Sequence, residues 1–424
     1  MTATTPFVDP GAATERRSDL PALTGMRFFA ALLVFMSHVA FPLYPGNQNP
    51  ALPFSDQGLA TGFMTFTGPG GYIGVSFFFI LSGFVITWAA RPGMRTRGYL
   101  RRRIVKIFPN HIVTWALAMV LFAAASTPAN GLPSLFLVNT WTTDSGYWGG
   151  ANMPAWSLTS EILFYLLFPL LIIPIRRIAD NRLWVSAAVA IAGMYAICLA
   201  TLYLVPDTPA IPGGGLSLTQ FWFIYVFPPV RLLEFVFGMI LARIVMRGLW
   251  PKRIGYTPVV ILLALAYWGT LELPSPYNMT LVTAIPFGLA IGTFAAANVR
   301  GERTVLGSRP MVWLGNISFG FFMTQAIVLF WLRPAVLGND SYGLWGGVAL
   351  IVALTAANIL AGWLLFKFVE QPAMRYLSRP RGSASAPPRV REPVGAASAA
   401  PPVREPVGAP AGHTATDPKD PDLV

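Results

Sequence analysis

Long apolar runs recur about every 30 to 40 residues through most of this 424-residue chain, and each is close to the ~20 residues that a helix needs to cross a bilayer. That pattern constrains the fold more than any single motif does. Lipid offers the backbone no hydrogen-bond partner, so only helices and closed barrels span it, and these runs lack the alternation of barrel strands. With 54% hydrophobic and 11% charged residues, the chain is far too apolar for a soluble protein of its length. The sequence therefore reads as all-α, a polytopic membrane helical bundle with about ten transmembrane helices. The runs lie at 22–44, 71–90, 107–126, 156–175, 183–205, 218–242, 256–271, 280–298, 311–332 and 344–368.

The loops orient the bundle. Segments 45–70, 127–155, 206–217, 272–279 and 334–343 contain no Lys or Arg but hold Asp56, Asp144, Asp207, Glu272 and Asp340. The alternate loops carry the basic residues, at Arg91 to Lys106, Arg176 to Arg182, Arg243 to Arg253 and Arg300 to Arg309, and only Arg333 falls on the other side. The positive-inside rule then places both termini of a multi-pass protein in the cytoplasm. The net charge of +12 follows from that sorting and calls for no nucleic acid partner. Cys198 lies inside a span and reads as packing. Three regions follow: a cytoplasmic N-terminal segment 1–19, a membrane domain 20–378, and a Pro/Ala/Arg-rich tail 379–424. The tail carries REPVGA twice, at 391–396 and 404–409, and reads as disordered.

The first run holds the chemistry-bearing pair Arg27 and His38. Eleven residues make just over three helical turns, so both side chains leave one face, ~16 Å apart along the axis. Ionisable groups within a membrane helix usually face a bundle interior or an aqueous cavity, so the pair marks a site. Arg27 then sits near the cytoplasmic boundary and His38 in the outer half. Glu161, ~8 Å below the outer end of the fourth run by helix rise, reaches a depth similar to that of His38. The two form a candidate catalytic pair of base and orienting carboxylate.

Several separated segments give this chain a family likeness. LTGMRFFAALLVFMSHV carries Arg27 and His38, GYIGVSFFFILSGFVIT spans 71–87, and RRRIVKIFP spans 101–109 as a basic loop. PAWSLTSEILFYLLFP at 154–169 places Glu161 and Tyr165; RLLEFVFGM at 231–239, LGNISFGFFMTQ in the ninth run and FVEQP at 368–372 complete the series. In order and spacing these resemble the acyltransferase-3 family of bacterial integral membrane acyltransferases. The resemblance implies transfer of a short acyl group, of the acetyl or propionyl class, from acyl-CoA to a hydroxyl of a sugar, a macrolide-type natural product or an envelope glycan. No cofactor is implied beyond the acyl-CoA donor. Arg27, Arg102, Arg103 and Lys106, near the inner boundary, would hold the donor's phosphates. The pantetheine arm would then lie along the first helix and bring the acyl carbonyl to His38, acting as base or as transient acyl carrier.

The chain departs from the family pattern at Lys106, which keeps a charge without an arginine's bidentate fork. It departs again at Gln325, where relatives often have a histidine, and at Phe319 and Phe322, where tyrosines are common. Gln325 can bond a substrate but cannot take a proton. Arg231, Glu234, Tyr165 and Gln325 are the candidate substrate-binding residues, with a structural ion pair the blander reading of Arg231 and Glu234. Glu370 reads as a partner for a basic loop, and His111 as a snorkelling or capping residue. His38 is the only mid-span histidine, so no metal site assembles. The rival functional class is a polytopic transporter without acyl-transfer chemistry; no similarity between 22–205 and 218–368 supports it.

Overall fold

A computed structural model describes residues 19–40, 51–122, 128–211 and 215–378. Residues 1–18 and the tail 379–424, with its duplicated hexapeptide, lie outside these. The helices, in chain order, are α1 (Pro21–Ala40), α2 (Gln57–Thr67), α3 (Pro69–Ala89), α4 (Thr96–Leu121), α5 (Pro128–Leu135), α6 (Trp156–Arg177), α7 (Leu183–Leu204), α8 (Pro228–Met246), α9 (Tyr256–Glu272), α10 (Leu281–Val299), α11 (Arg309–Ile327), α12 (Leu344–Leu365) and α13 (Gln371–Leu377). Among the described residues, nine helical segments are long and apolar enough to cross a membrane, and α9 is a shorter apolar helix of 17 residues. At ~1.5 Å per residue α9 spans ~25 Å, a little under the ~30 Å hydrocarbon core. The chain is a multi-pass membrane protein, and the apolar runs of the sequence become its helices.

Three connecting segments differ from expectation. RRRIVKIFP is not a loop: it forms the first turns of α4, because Arg, Lys and Ile are adequate helix formers with no turn residue between Gly98 and Pro109. Segment 45–70 contains α2, whose N-terminus is capped by Asp56, its Oδ1 accepting the Leu59 N–H at 2.8 Å. Segment 127–155 folds back onto the bundle. Asn139 Nδ2 donates to the Trp148 carbonyl at 2.6 Å, and buried Asn152 donates to the Met323 carbonyl of α11 at 3.0 Å. His111 takes the capping role: fully buried, its ring Nε2 donates to the carbonyls of Ser134 and Leu135 at the end of α5.

At the centre, α1 is wedged between α3 and α11, and α3 packs most intimately against α8. Glycine makes that last crossing possible. A Cβ on Gly83 would lie 1.9 Å from the Phe235 carbonyl oxygen, and one on Gly238 1.9 Å from that of Ile80. Small residues let membrane helices approach backbone to backbone, where van der Waals contact must replace the absent hydrophobic drive. The cavities of the candidate site are lined mainly by α1, α3, α4, α6 and α11.

Candidate active site

α1 brings His38 against α11. His38 Nδ1 lies 2.9 Å from Gln325 Oε1, and Gln325 Nε2 donates to the Phe322 carbonyl one turn earlier, also at 2.9 Å. The second bond fixes the amide: with its NH2 turned to a carbonyl, its oxygen must face the imidazole. The neutral ring then carries its proton on Nδ1, donated to Gln325, and keeps a lone pair on Nε2. His38 is half-buried and lines a cavity of about 420 Å³ at the end of the bundle away from the basic residues. Aromatic rings form one wall: Tyr72 meets Tyr225 edge to face at 5.1 Å, Trp156 lies 4.8 Å from Tyr225, and Phe221 lines the same space. Tyr225 is fixed there by its hydroxyl, which donates to the Gly71 carbonyl at 3.0 Å.

Glu161 belongs to a different space. Its Oε2 accepts the hydroxyl of Tyr165, one turn along α6, at 3.0 Å. Both line a narrower cavity of about 140 Å³ together with Ser82, Arg27, Arg103 and Lys106. Lys106 pairs with buried Glu370, whose other oxygen accepts Asn110 Nδ2 at 2.8 Å; a π-helical stretch, Phe366–Glu370, carries that carboxylate inward. Glu370 thus has the basic partner foreseen for it. Arg27 and Arg103 have no carboxylate within 4 Å among the described residues. The Arg103 guanidinium lies over the rings of Tyr99 (5.6 Å) and Tyr165 (5.7 Å), with its Nε buried and without a hydrogen-bond partner. This end of the site is cationic and underpaired.

The two cavities adjoin, sharing Val75 of α3 and Phe322 of α11 in their walls. The pairing of His38 with Glu161 is therefore corrected: Gln325 orients the histidine, and Glu161 faces the cations. The depth estimate failed because α6 begins below the folded-back segment. Met153, Pro154 and Trp156 already line the His38 cavity, so Glu161, five residues further, lies ~7.5 Å closer to the basic end.

Two further expectations change. Arg102 is exposed on the outer face of α4 and lines neither cavity, one position from Arg103, which lines the inner one. Arg231 and Glu234 form an ion pair at 2.9 Å that is 1% and 3% exposed and borders neither cavity. Arg231 also donates to Ser76 Oγ at 2.9 Å and sits over the rings of Phe79 and Tyr225 at 5.2 and 5.1 Å. It braces α3, α8 and the aromatic wall rather than a substrate. Sequence reading missed Tyr72, Tyr225 and Ser37 as cavity-lining residues, since aromatic and hydroxyl side chains are common in spans. Phe221 lines the outer cavity as well.

The acyltransferase domain, as that family is described, matches residues 20–367, most of the chain and all of both cavities. The chain belongs to the acyltransferase-3 family. It is 37% identical over 380 residues to acyltransferase MdmB of Streptomyces mycarofaciens, covering 87% of this chain and 95% of that protein. It is also 22% identical over 395 residues to the peptidoglycan O-acetyltransferase OatA of Listeria monocytogenes, covering 84% of this chain and 56% of that protein. No solved structure matches. This acyltransferase-3 protein is thus a membrane O-acyltransferase, and the transporter reading is set aside. Among the described residues, His38 is the site residue that joins a ring nitrogen left over from its Gln325 bond to a cavity large enough for a small molecule, about 300–1,000 Å³ being usual.

Proposed function

We propose that this enzyme moves a short acyl group, acetyl or propionyl, from acyl-CoA to a hydroxyl on a sugar-bearing acceptor. The donor enters from the basic end of the bundle, which the positive-inside rule assigns to the cytoplasmic side of a bacterial inner membrane. Arg27 and Arg103, with Lys106 beside them, hold its phosphates by charge-assisted bonds. The narrow inner cavity suits an extended arm; the larger outer cavity, with its aromatic wall, suits a ring-shaped acceptor such as a sugar, a macrolide or a glycan end. The relative OatA is named a peptidoglycan O-acetyltransferase, which supports the glycan class of acceptor.

The observation that carries this reading is the 2.9 Å contact of His38 Nδ1 with the Gln325 Oε1 that the Phe322 carbonyl orients, which assigns the ring proton to Nδ1 and leaves Nε2 as a base. Nε2 takes the acceptor's hydroxyl proton as the oxygen attacks the thioester carbonyl. The C–S bond breaks, and the imidazolium returns that proton to the departing thiolate, giving an ester and free CoA thiol. In the covalent variant Nε2 attacks the thioester carbonyl, the C–S bond breaks and the thiolate leaves; the acceptor hydroxyl then attacks the acyl-imidazolium, the N–acyl bond breaks, and the hydroxyl proton passes through Nε2 to the thiolate. Glu161, with Tyr165, sets the charge of the donor cavity and does not touch His38.

The test is transfer of radiolabel from acetyl-CoA or propionyl-CoA, by detergent-purified protein, into an alkali-labile ester on an added macrolide or glycan acceptor. The reading requires acceptor-dependent thiol release matched by ester label. Absence of thiol release with every donor and acceptor would contradict it.

A further inference from the structure

The inner and outer cavities meet at only two shared residues, Val75 and Phe322. Both are almost wholly enclosed, at 3% and 6% exposure. The Phe322 ring is held edge to face against Phe78 at 6.0 Å, and the carbonyl of the same residue anchors the Gln325 amide that orients His38. One residue therefore stands at the junction of the cavities and also fixes, through its backbone, the group that aligns the base. Val75 and Phe322 thus form the boundary between the cationic cavity and the one that holds His38.

We propose that Phe322, with Val75 at the same boundary, is the acyl-length selector of this enzyme; the inference rests on the acyl-CoA reading above. An acetyl or propionyl group fits past the ring with its carbonyl at His38. A longer chain has to occupy the space filled by the ring or run on into the outer cavity, where it displaces the acceptor. Neither outcome leaves the carbonyl and the acceptor hydroxyl together. Close packing makes such a restriction steep, because interiors yield little to added volume, and a single methylene in a shaped pocket changes selectivity by about 10- to 200-fold. The selecting element is the side chain alone: replacing the ring leaves the Phe322 carbonyl, and so the Gln325–His38 bond, in place.

The test compares acetyl-, propionyl-, butyryl- and hexanoyl-CoA as donors to one acceptor, for wild type, Phe322→Ala, Val75→Ala and Phe322→Trp. The readout is the ratio of kcat/KM for each longer donor to that for acetyl-CoA, which is independent of overall loss of activity. Wild type should favour acetyl or propionyl over hexanoyl by at least about tenfold. Phe322→Ala should raise the hexanoyl-to-acetyl ratio at least about tenfold, and Val75→Ala should raise it by a smaller factor from the same boundary. Phe322→Trp should lower the propionyl-to-acetyl ratio. A length profile unchanged in all three variants, with an active wild type, would overturn the selector and leave the acyl-CoA reading standing. A wild type that prefers hexanoyl would overturn it as well. A wild type that releases thiol from no donor would overturn both. Val75→Ala decides the matter if the Phe322 variants fail to fold.

Discussion

His38 and Gln325 lie 287 positions apart in the chain, yet the imidazole Nδ1 sits 2.9 Å from the amide oxygen. Because the Phe322 carbonyl pins that amide the right way round, the histidine has one working tautomer rather than two. A neutral amide can therefore do the orienting that a carboxylate does elsewhere, without placing a charge inside the membrane. Gln325→Leu keeps the volume and removes the acceptor. It should lower kcat about 10- to 100-fold, below the ~10²–10⁴ that a complete general base supplies, with donor KM nearly constant. Steady-state kinetics on purified protein distinguish this from a binding defect, which would move KM instead.

The cationic cavity makes the opposite kinetic prediction. Arg27→Ala and Arg103→Ala should each raise the KM for acyl-CoA about 10- to 100-fold, as expected for loss of a charge-assisted bond of about 1.5–3 kcal/mol. The rise should shrink for a truncated donor lacking the nucleotide phosphates. Arg102→Ala, on the exposed face of α4, should change the donor KM less than twofold. Titration of donor dependence for the three variants checks all of this together.

The Arg231–Glu234 pair should behave as structure rather than site. Breaking one partner leaves an uncompensated charge in an enclosed place, a change that costs about 3–5 kcal/mol in buried pairs. Glu234→Gln should therefore melt well below wild type in detergent. Arg231→Met combined with Glu234→Leu should recover much of that loss while leaving the acceptor KM within a few-fold of wild type. Thermal unfolding followed by tryptophan fluorescence, alongside kinetics of the double variant, is the measurement; a large rise in acceptor KM would restore these residues to substrate binding.

At the α3–α8 crossing, Gly83→Ala or Gly238→Ala would place a methyl 1.9 Å from a backbone oxygen. No side-chain rotation relieves that contact, so the helices must separate and the aromatic wall beside them must shift. Each variant should lower the melting temperature by more than ordinary overpacking, about 1–3 kcal/mol, and Gly83→Ala should also weaken acceptor turnover. Comparison with Gly62→Ala, where a Cβ meets nothing, isolates the close approach.

How much of this was legible in the sequence varies residue by residue. The helical membrane class was, and so was the turning of His38 and Arg27 towards cavities rather than lipid, because an ionisable group in an apolar run is costly against hydrocarbon. The partner of His38 was not. Helix rise gives depth but no azimuth, and even the depth of Glu161 depended on where α6 begins beneath segment 127–155. Gln325 was visible as a departure from its family, yet its role appears only once Phe322 is seen to hold its amide. Arg102 and Arg103 were indistinguishable as letters; which of them faces the cavity depends on the phase of α4, a helix where a loop was expected. The cavity boundary that Phe322 and Val75 share is a relation between α3 and α11, and no local pattern announces it.

The most direct measurement pairs donor binding with turnover for His38→Ala. Calorimetry should show acetyl-CoA bound within a few-fold of the wild-type affinity, since Arg27 and Arg103 are untouched. Acceptor-dependent thiol release should fall at least about 100-fold. A His38→Ala enzyme that binds the donor and turns over within a few-fold of wild type would contradict the account at its centre.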